Sequence, residues 1–278
     1  MYQPTGILHA LNPAATARNL WARRDLIRQF TSREIQARYR GTLLGLGWAL
    51  LQPLIMLGVY SIVFGLIFPQ APPNSHHARA EVTVNLFCGL SVFNIFADCV
   101  ARSTGIVLAN PNFVKKVVFP LEILPLSILG ATFLPAIFNF VLIFLGALYI
   151  NDGSIPVSQL LIPVVMVPLI MFTLGTAWFL GALGVFFRDV GQVIGLVLQA
   201  LSFLSAIFYT FSKVPPSLRT ALYFNPIAVT VESLRIVVLG KGDLPVFAIS
   251  MIAAFSFVFM MFGYAFFFKC KRAFADVI

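Results

Sequence analysis

Asn110-Pro111-Asn112-Phe113-Val114-Lys115-Lys116-Val117-Val118-Phe119-Pro120 is a short polar stretch between two long apolar runs, about 82–108 and 121–150. The runs on either side decide the fold. Each exceeds the ~20 residues that a helix needs to cross a bilayer. Neither alternates in the way of barrel strands, and backbone in lipid has to satisfy its hydrogen bonds within its own segment. The 278-residue chain is 59% hydrophobic and 10% charged, with 29 Phe, where a soluble domain has ~45–50% and ~25%. The reading is an all-α polytopic membrane protein in one transmembrane domain. In that setting the polar stretch is a grip where something outside the membrane takes hold.

Working outward, further spans are expected at about 43–68, 160–187, 191–211 and 244–268, making six. Residues 12–40 interleave Leu20, Trp21, Ile27 and Phe30 with arginines, which predicts an amphipathic interfacial helix. Asp98 and Arg102 are four apart in the second span and share a helix face, so they are expected to pair. Pro53 and Pro135 lie inside spans and each loosens a backbone bond. Residues 213–243 hold apolar pieces too short to span, divided by Asn225-Pro226, and read as two re-entrant helices before the last span.

The net charge of +9 would suggest nucleic acid in a soluble protein; here it reports orientation, and no nucleic-acid partner is expected. The first apolar run begins only near Leu43, so no cleavable leader is read. With the N-terminus cytoplasmic, 14 of the 19 Lys and Arg fall on that side: seven ahead of the first span, then Arg102, Lys115, Lys116, Arg188, Lys269, Lys271 and Arg272. Arg79, Lys213, Arg219, Arg235 and Lys241 fall on the other. This bias places both termini and the segment 109–120 in the cytoplasm, with 213–243 at the outer side. Cys88, Cys99 and Cys270 form no disulfide framework or metal-ligand spacing, and His76-His77 lacks further ligands nearby.

The chain contains no Walker-type phosphate loop, no His-Glu-x-x-His and no Gly-x-Ser-x-Gly. Intramembrane charge is sparse for an ion-coupled carrier. An outside motor is the simplest energy source, and no catalytic or metal site is expected.

Arg38-Tyr39-Arg40-Gly41-Thr42-Leu43-Leu44-Gly45-Leu46-Gly47-Trp48-Ala49, with Pro53 beyond, resembles the opening of the membrane subunits of type-2 ABC exporters for polysaccharides. Asn110–Pro120 followed by Glu122-Ile123-Leu124-Pro125-Leu126-Ser127 is similar to that family's coupling segment. Phe187-Arg188-Asp189-Val190-Gly191-Gln192-Val193, and Asn225-Pro226 with Glu232 and Arg235, match its later signatures in the same order. The resemblance is strongest to O-antigen and teichoic-acid export permeases and weaker to capsule exporters. It implies a homodimer bound to two copies of a separate ABC ATPase, with ATP and Mg held by that partner and no cofactor on this chain. It further implies export of a polyprenyl-diphosphate-linked polysaccharide across the bacterial inner membrane. The N-terminal helix and coupling segment would dock on the ATPase, spans one and five would face the channel, and the paired short helices would form an outer gate.

Site residues are then expected as follows. Asn112, Phe113, Val114, Lys115 and Lys116 couple to the ATPase, Phe113 and Val114 filling an apolar cleft while the lysines meet acidic rim groups; an ordinary positive loop is the bland alternative. Arg38 and Arg40 hold a lipid diphosphate or simply anchor the chain at the interface. Tyr60, Phe64 and Phe68 recur every four residues and, with Phe208 and Tyr209, either line the sugar path or pack against lipid and core. Asn225, Pro226, Glu232 and Arg235 belong to the outer gate, the last two pairing. The competing functions are a drug or small-lipid exporter of similar fold, an ion-coupled carrier and a membrane-embedded glycolipid enzyme.

Overall fold

The computed structural model describes residues 12–64, 76–115 and 119–278. Ahead of the first apolar run lie α1 (Pro13–Ala22) and α2 (Arg24–Tyr39). A 3-10 turn, Gly45–Gly47, leads into α3 (Trp48–Ile62). Then come α4 (His76–Ser103), α5 (Pro111–Lys115), α6 (Ile123–Ile150), α7 (Ile162–Phe186), α8 (Val190–Leu204), α9 (Pro216–Tyr223), α10 (Pro226–Leu239), α11 (Val246–Cys270) and α12 (Phe274–Val277). No strand occurs among the described residues, and the protein is an all-α polytopic membrane protein.

Gly45–Ile62, His77–Ser103, Ile123–Ile150, Val157–Phe186 and Val246–Val277 are each long and apolar enough to cross a membrane. The two short helices expected over 213–243 are α9 and α10, bent by 99° to one another, and together they make a sixth candidate crossing or a re-entrant loop. The fifth expected span is shorter than its apolar run. α8 has 15 residues, about 22 Å at ~1.5 Å per residue, against a hydrocarbon core of ~30 Å. The chain turns at Ala206, buried and at φ 53°. Asn225 holds that turn: its Nδ2 donates to Leu204 O and Ser205 Oγ, both at 3.2 Å. Hydropathy continues to Phe211, but a contact 20 residues further along the chain ends the helix.

Three helices begin at an Asn-Pro pair. Asn12 and Asn225 are N-caps whose Oδ1 accepts from the next free amides, Ala14 and Ala15 in one case and Ile227 and Ala228 in the other. Proline follows well at the first helical position because its missing N–H is not needed there. Asn110 precedes Pro111 in the same way, but its side chain is bonded elsewhere.

The body is built from α4, α6, α7, α10 and α11. The contact of α7 with α11 is the most extensive, and backbone meets backbone there. A Cβ on Gly175 would lie 2.8 Å from Met260 Cα, and one on Gly263 would lie 2.2 Å from the Gly175 carbonyl oxygen. Small residues allow this approach, and dispersion takes over where lipid offers no hydrophobic gain. Two helices are held loosely. α3 buries only Ala49 and Pro53, and α8 only Leu198. Leu50, Leu54, Ile55 and Val59 of α3 and Val193, Leu196 and Val197 of α8 are exposed.

Candidate functional site

At one end of the bundle, α2 lies across α6. The approach is close: a Cβ on Gly130 of α6 would come 2.7 Å from Thr31 Oγ1. Just before α6, Glu122 is bonded to Arg23 from the α1–α2 junction and, at 2.9 Å, to Lys271 Nζ beyond α11. Its side chain is only 4% exposed, and its carbonyl accepts from Trp178 Nε1 of α7 at 2.9 Å. One buried carboxylate therefore ties the N-terminal helices, the start of α6 and the C-terminal end together at one end of the molecule.

α2 carries two more ion pairs. Arg38 Nη1 meets Asp98 Oδ2 at 2.7 Å, and Arg102 Nη2 meets Glu34 Oε2 at 2.5 Å. The expected Asp98–Arg102 pair does not form; each residue reaches α2 instead. A lone i,i+4 pair is worth only ~0.2–0.5 kcal/mol, and α2 offers each group a partner in a more buried setting. Arg38, expected at a lipid diphosphate or the interface, is thus engaged within the protein. Arg40 is exposed in a groove between α2 and the 3-10 turn, lined by Arg33, Tyr39, Gly45 and Leu46.

The polar segment after α4, expected to couple, packs back on the same helix. Phe113 stacks on Phe119 with centroids 4.5 Å apart, and Phe30 of α2 meets both, at 5.3 and 5.1 Å. The Arg33 guanidinium covers the Phe30 and Phe113 rings at 5.4 and 5.6 Å, near enough for cation–π attraction. Its Nη2 also donates to Asn110 Oδ1 at 2.9 Å, and Asn110 Nδ2 donates to Ile106 O at 2.9 Å. Phe113 and Val114 are half-buried against the core, whereas Pro111, Asn112 and Lys115 are exposed. Lys115 Nζ donates to the Ile278 main-chain oxygen at 2.8 Å. Lys116 lies outside the described residues. Phe113, expected as a free knob, has much of its ring committed to α2, so the outward surface is carried by Pro111, Asn112 and Lys115.

Within the apolar region, α3, α4 and α6 border a cavity of about 230 Å³ that is open on one side, where Gln52, Met56 and Asn94 are exposed. Phe87, Ser91, Asn94 and Asp98 come from one face of α4, Thr132, Pro135 and Asn139 from α6, and Gln52, Pro53 and Tyr60 from α3. The Arg38–Asp98 pair stands at its rim. Sequence reading placed Pro53 and Pro135 in different spans; the structure brings both to this space. The missed signal is the stripe of polar residues at Ser91, Asn94 and Asp98, with spacings of three and four.

At the opposite end Arg235 of α10 is 5% exposed and fans out to three carbonyls, one on α4 and two in the turn beyond α8. Nε donates to Asn85 O at 2.9 Å, Nη1 to Tyr209 O at 2.9 Å and Nη2 to Ile207 O at 2.6 Å. The expected pair with Glu232 is present at 3.5 Å and is the longest of these contacts. Gly89 makes room, since a Cβ there would lie 3.1 Å from both Arg235 Nη2 and Ile207 Cα. A second cavity, about 280 Å³, is lined by Phe64, Phe208, Tyr209, Asn85 and Arg235. Tyr60 and Phe64 therefore face different cavities, and Phe68 lies outside the described residues. Tyr209 OH donates to Phe203 O at 2.9 Å.

Taken together, these elements define a helical membrane protein with an ion-paired, partly exposed face at one end and an arginine-held helix pair at the other. Residues 25–239 match the ABC-2 type transporter family, and the chain belongs to it. Among curated proteins it is 27% identical to an O-antigen export system permease protein RfbA of Klebsiella pneumoniae over 91% of this chain and 95% of the relative. Similarity to the protein of the same description from Myxococcus xanthus is 30% over 71% and 73%. The polysialic acid transport protein KpsM of Escherichia coli is 26% identical over 84% and 88%.

Proposed function

We propose that this chain is the permease subunit of an ATP-driven exporter that carries a lipid-linked polysaccharide of O-antigen type across the bacterial inner membrane. The observation that carries the reading is the near end-to-end similarity to O-antigen export permeases, 91% of this chain and 95% of the relative. Two copies pair, each bound to one ABC ATPase, which holds ATP and Mg. α3 and α8 face the channel at the dimer interface, in keeping with their loose attachment and apolar exposed faces.

The coupling geometry follows from the contacts. The ATPase engages Pro111, Asn112 and Lys115, and the Phe30–Phe113–Phe119 packing passes the push to α2. The Arg38–Asp98 and Glu34–Arg102 pairs then carry it into α4, and Glu122 carries it to the start of α6. Arg40, free of any ion pair among the described residues, is the arginine open to a lipid diphosphate. Phe64, Phe208 and Tyr209 lie where polymer would leave, with the α9–α10 pair as the outer gate.

Deleting the gene tests this. The expected result is loss of one surface polysaccharide, its lipid-linked form accumulating inside and export returning with the intact gene. An unchanged polymer with altered drug sensitivity would replace the reading with a small-molecule exporter.

A further inference from the structure

We propose that the cavity between α3, α4 and α6 is a binding subsite for a single neutral, polyhydroxylated ring, a sugar unit held inside the protomer. Identifying the ring as a sugar of the exported polymer rests on the export reading; the chemistry of the cavity does not.

The first observation is unfilled hydrogen-bonding capacity. The side chains of Gln52, Asn94 and Asn139 all line the cavity, Asn139 buried and Gln52 and Asn94 exposed at its open side, and none makes a hydrogen bond to protein among the described residues. Each carboxamide presents an acceptor oxygen and an amino group that donates. Pro53 and Pro135, each inside its helix, line the same space. Polar groups in an apolar region are costly unless something bonds them. Three helices contribute unbonded amides to one space, and two of them carry a proline at it.

Charge then selects among occupants. Arg38 is the only cation among the described residues that line the cavity, and Asp98 neutralises it at 2.7 Å. A phosphate or diphosphate finds no free positive group there. A neutral ligand with many hydroxyls matches the mixed donors and acceptors, and Tyr60 and Phe87 offer faces to its C–H side. At about 230 Å³ the space is below the ~300–1,000 Å³ of typical ligand pockets, which suits one ring rather than a length of polymer. The face of α4 that carries Asn94 ends at Asp98, which Arg38 of α2 grips, so occupancy and the position of α2 are mechanically linked.

The test uses the permease with its ATPase in nanodiscs of phosphatidylethanolamine and phosphatidylglycerol. Met56→Cys, in a Cys270→Ser background, puts a thiol at the cavity wall while leaving the amides intact; Cys88 and Cys99 are buried. Its reaction with a small neutral thiol reagent is timed with octyl glycosides of neutral hexoses, octyl phosphate or octanol, all below micellar concentration. The expected result is slowing by at least one glycoside of about threefold, the effect of ligand at about twice its Kd, with none from octyl phosphate or octanol. Gln52→Leu or Asn139→Leu should abolish that protection, and Gln52 on the loosely held α3 keeps the test alive if Asn139→Leu fails to fold. No slowing by any glycoside, equal slowing by octyl phosphate or octanol, or slowing that persists in both variants overturns the proposal. Protection does not depend on transport, so it can fail while the deletion phenotype still supports export, and the reverse.

Discussion

Arg235 shows how one side chain can hold an assembly that its spacing to Glu232 does not reveal. Its guanidinium bonds the Asn85 carbonyl of α4 and the Ile207 and Tyr209 carbonyls of the turn beyond α8, the last two lying past the end of that helix. Replacing it with Ala takes the guanidinium from the Ile207 and Tyr209 carbonyls and leaves Glu232 alone, a change of the kind that costs ~3–5 kcal/mol. We expect Arg235→Ala to lower the melting temperature in detergent sharply. Arg235→Lys should recover only part of the loss, since a point ammonium cannot reproduce a planar fork aimed at three oxygens. Equal melting temperatures for wild type and Arg235→Ala would refute the role. The same residue accounts for Gly89, which the sequence presents as an unremarked glycine within an apolar run.

On the scale of elements, the junction of α2, α6 and the C-terminal end depends on Glu122 receiving two cations. Removing Arg23 or Lys271 singly leaves the carboxylate one partner, whereas removing both buries a charge with none. Neighbouring groups of this kind couple by ~0.5–3 kcal/mol. Arg23→Ala with Lys271→Ala is therefore expected to destabilise by more than the two single changes together, in a double-mutant cycle read by thermal unfolding. Simple additivity would mean that the two contacts act independently.

In the segment proposed to couple, packing and docking fall on different residues. Phe113→Ala should lower stability, because the ring is wedged between Phe30 and Phe119; Phe to Ala in a core costs ~3–5 kcal/mol, and a half-buried ring less. Asn112→Trp is expected to leave the melting temperature unchanged, since the side chain is exposed, while reducing co-purification of the ATPase. An Asn112→Trp protein that binds ATPase at wild-type levels would remove this surface from the interface.

For the whole molecule, the contacts of Glu122 and Lys115 gather Arg23, Lys271 and Ile278 at one end. Lys241 pairs with Glu81 at 2.6 Å, close to the Arg235 assembly. From the charge bias we propose that the first end is the cytoplasmic one. Single cysteines at Asn112 and Arg188 should react with an impermeant thiol reagent only in inverted vesicles, and one at Leu218 only in intact cells. Labelling of Asn112→Cys from outside would invert the topology.

Composition and run length alone settled that this chain is helical and lives in a bilayer, because the cost of unpaired backbone in lipid leaves few alternatives. The Asn225-Pro226 break, the short helices after it and the order of motifs were legible in the same way, as local chemistry or as resemblance. Side-chain partners were not. Asn12, Asn110 and Asn225 each precede a proline, yet two cap their helices while Asn110 is claimed by Arg33. Asp98 and Arg102 have helix-pair spacing, yet each bonds α2. α8 is apolar through Phe211 but stops at Leu204, where Asn225 takes its end. Hydropathy and spacing report what a segment can do by itself. Which partner a polar group takes depends on the charge or carbonyl that another helix brings within about 3 Å, and only the packed bundle decides that.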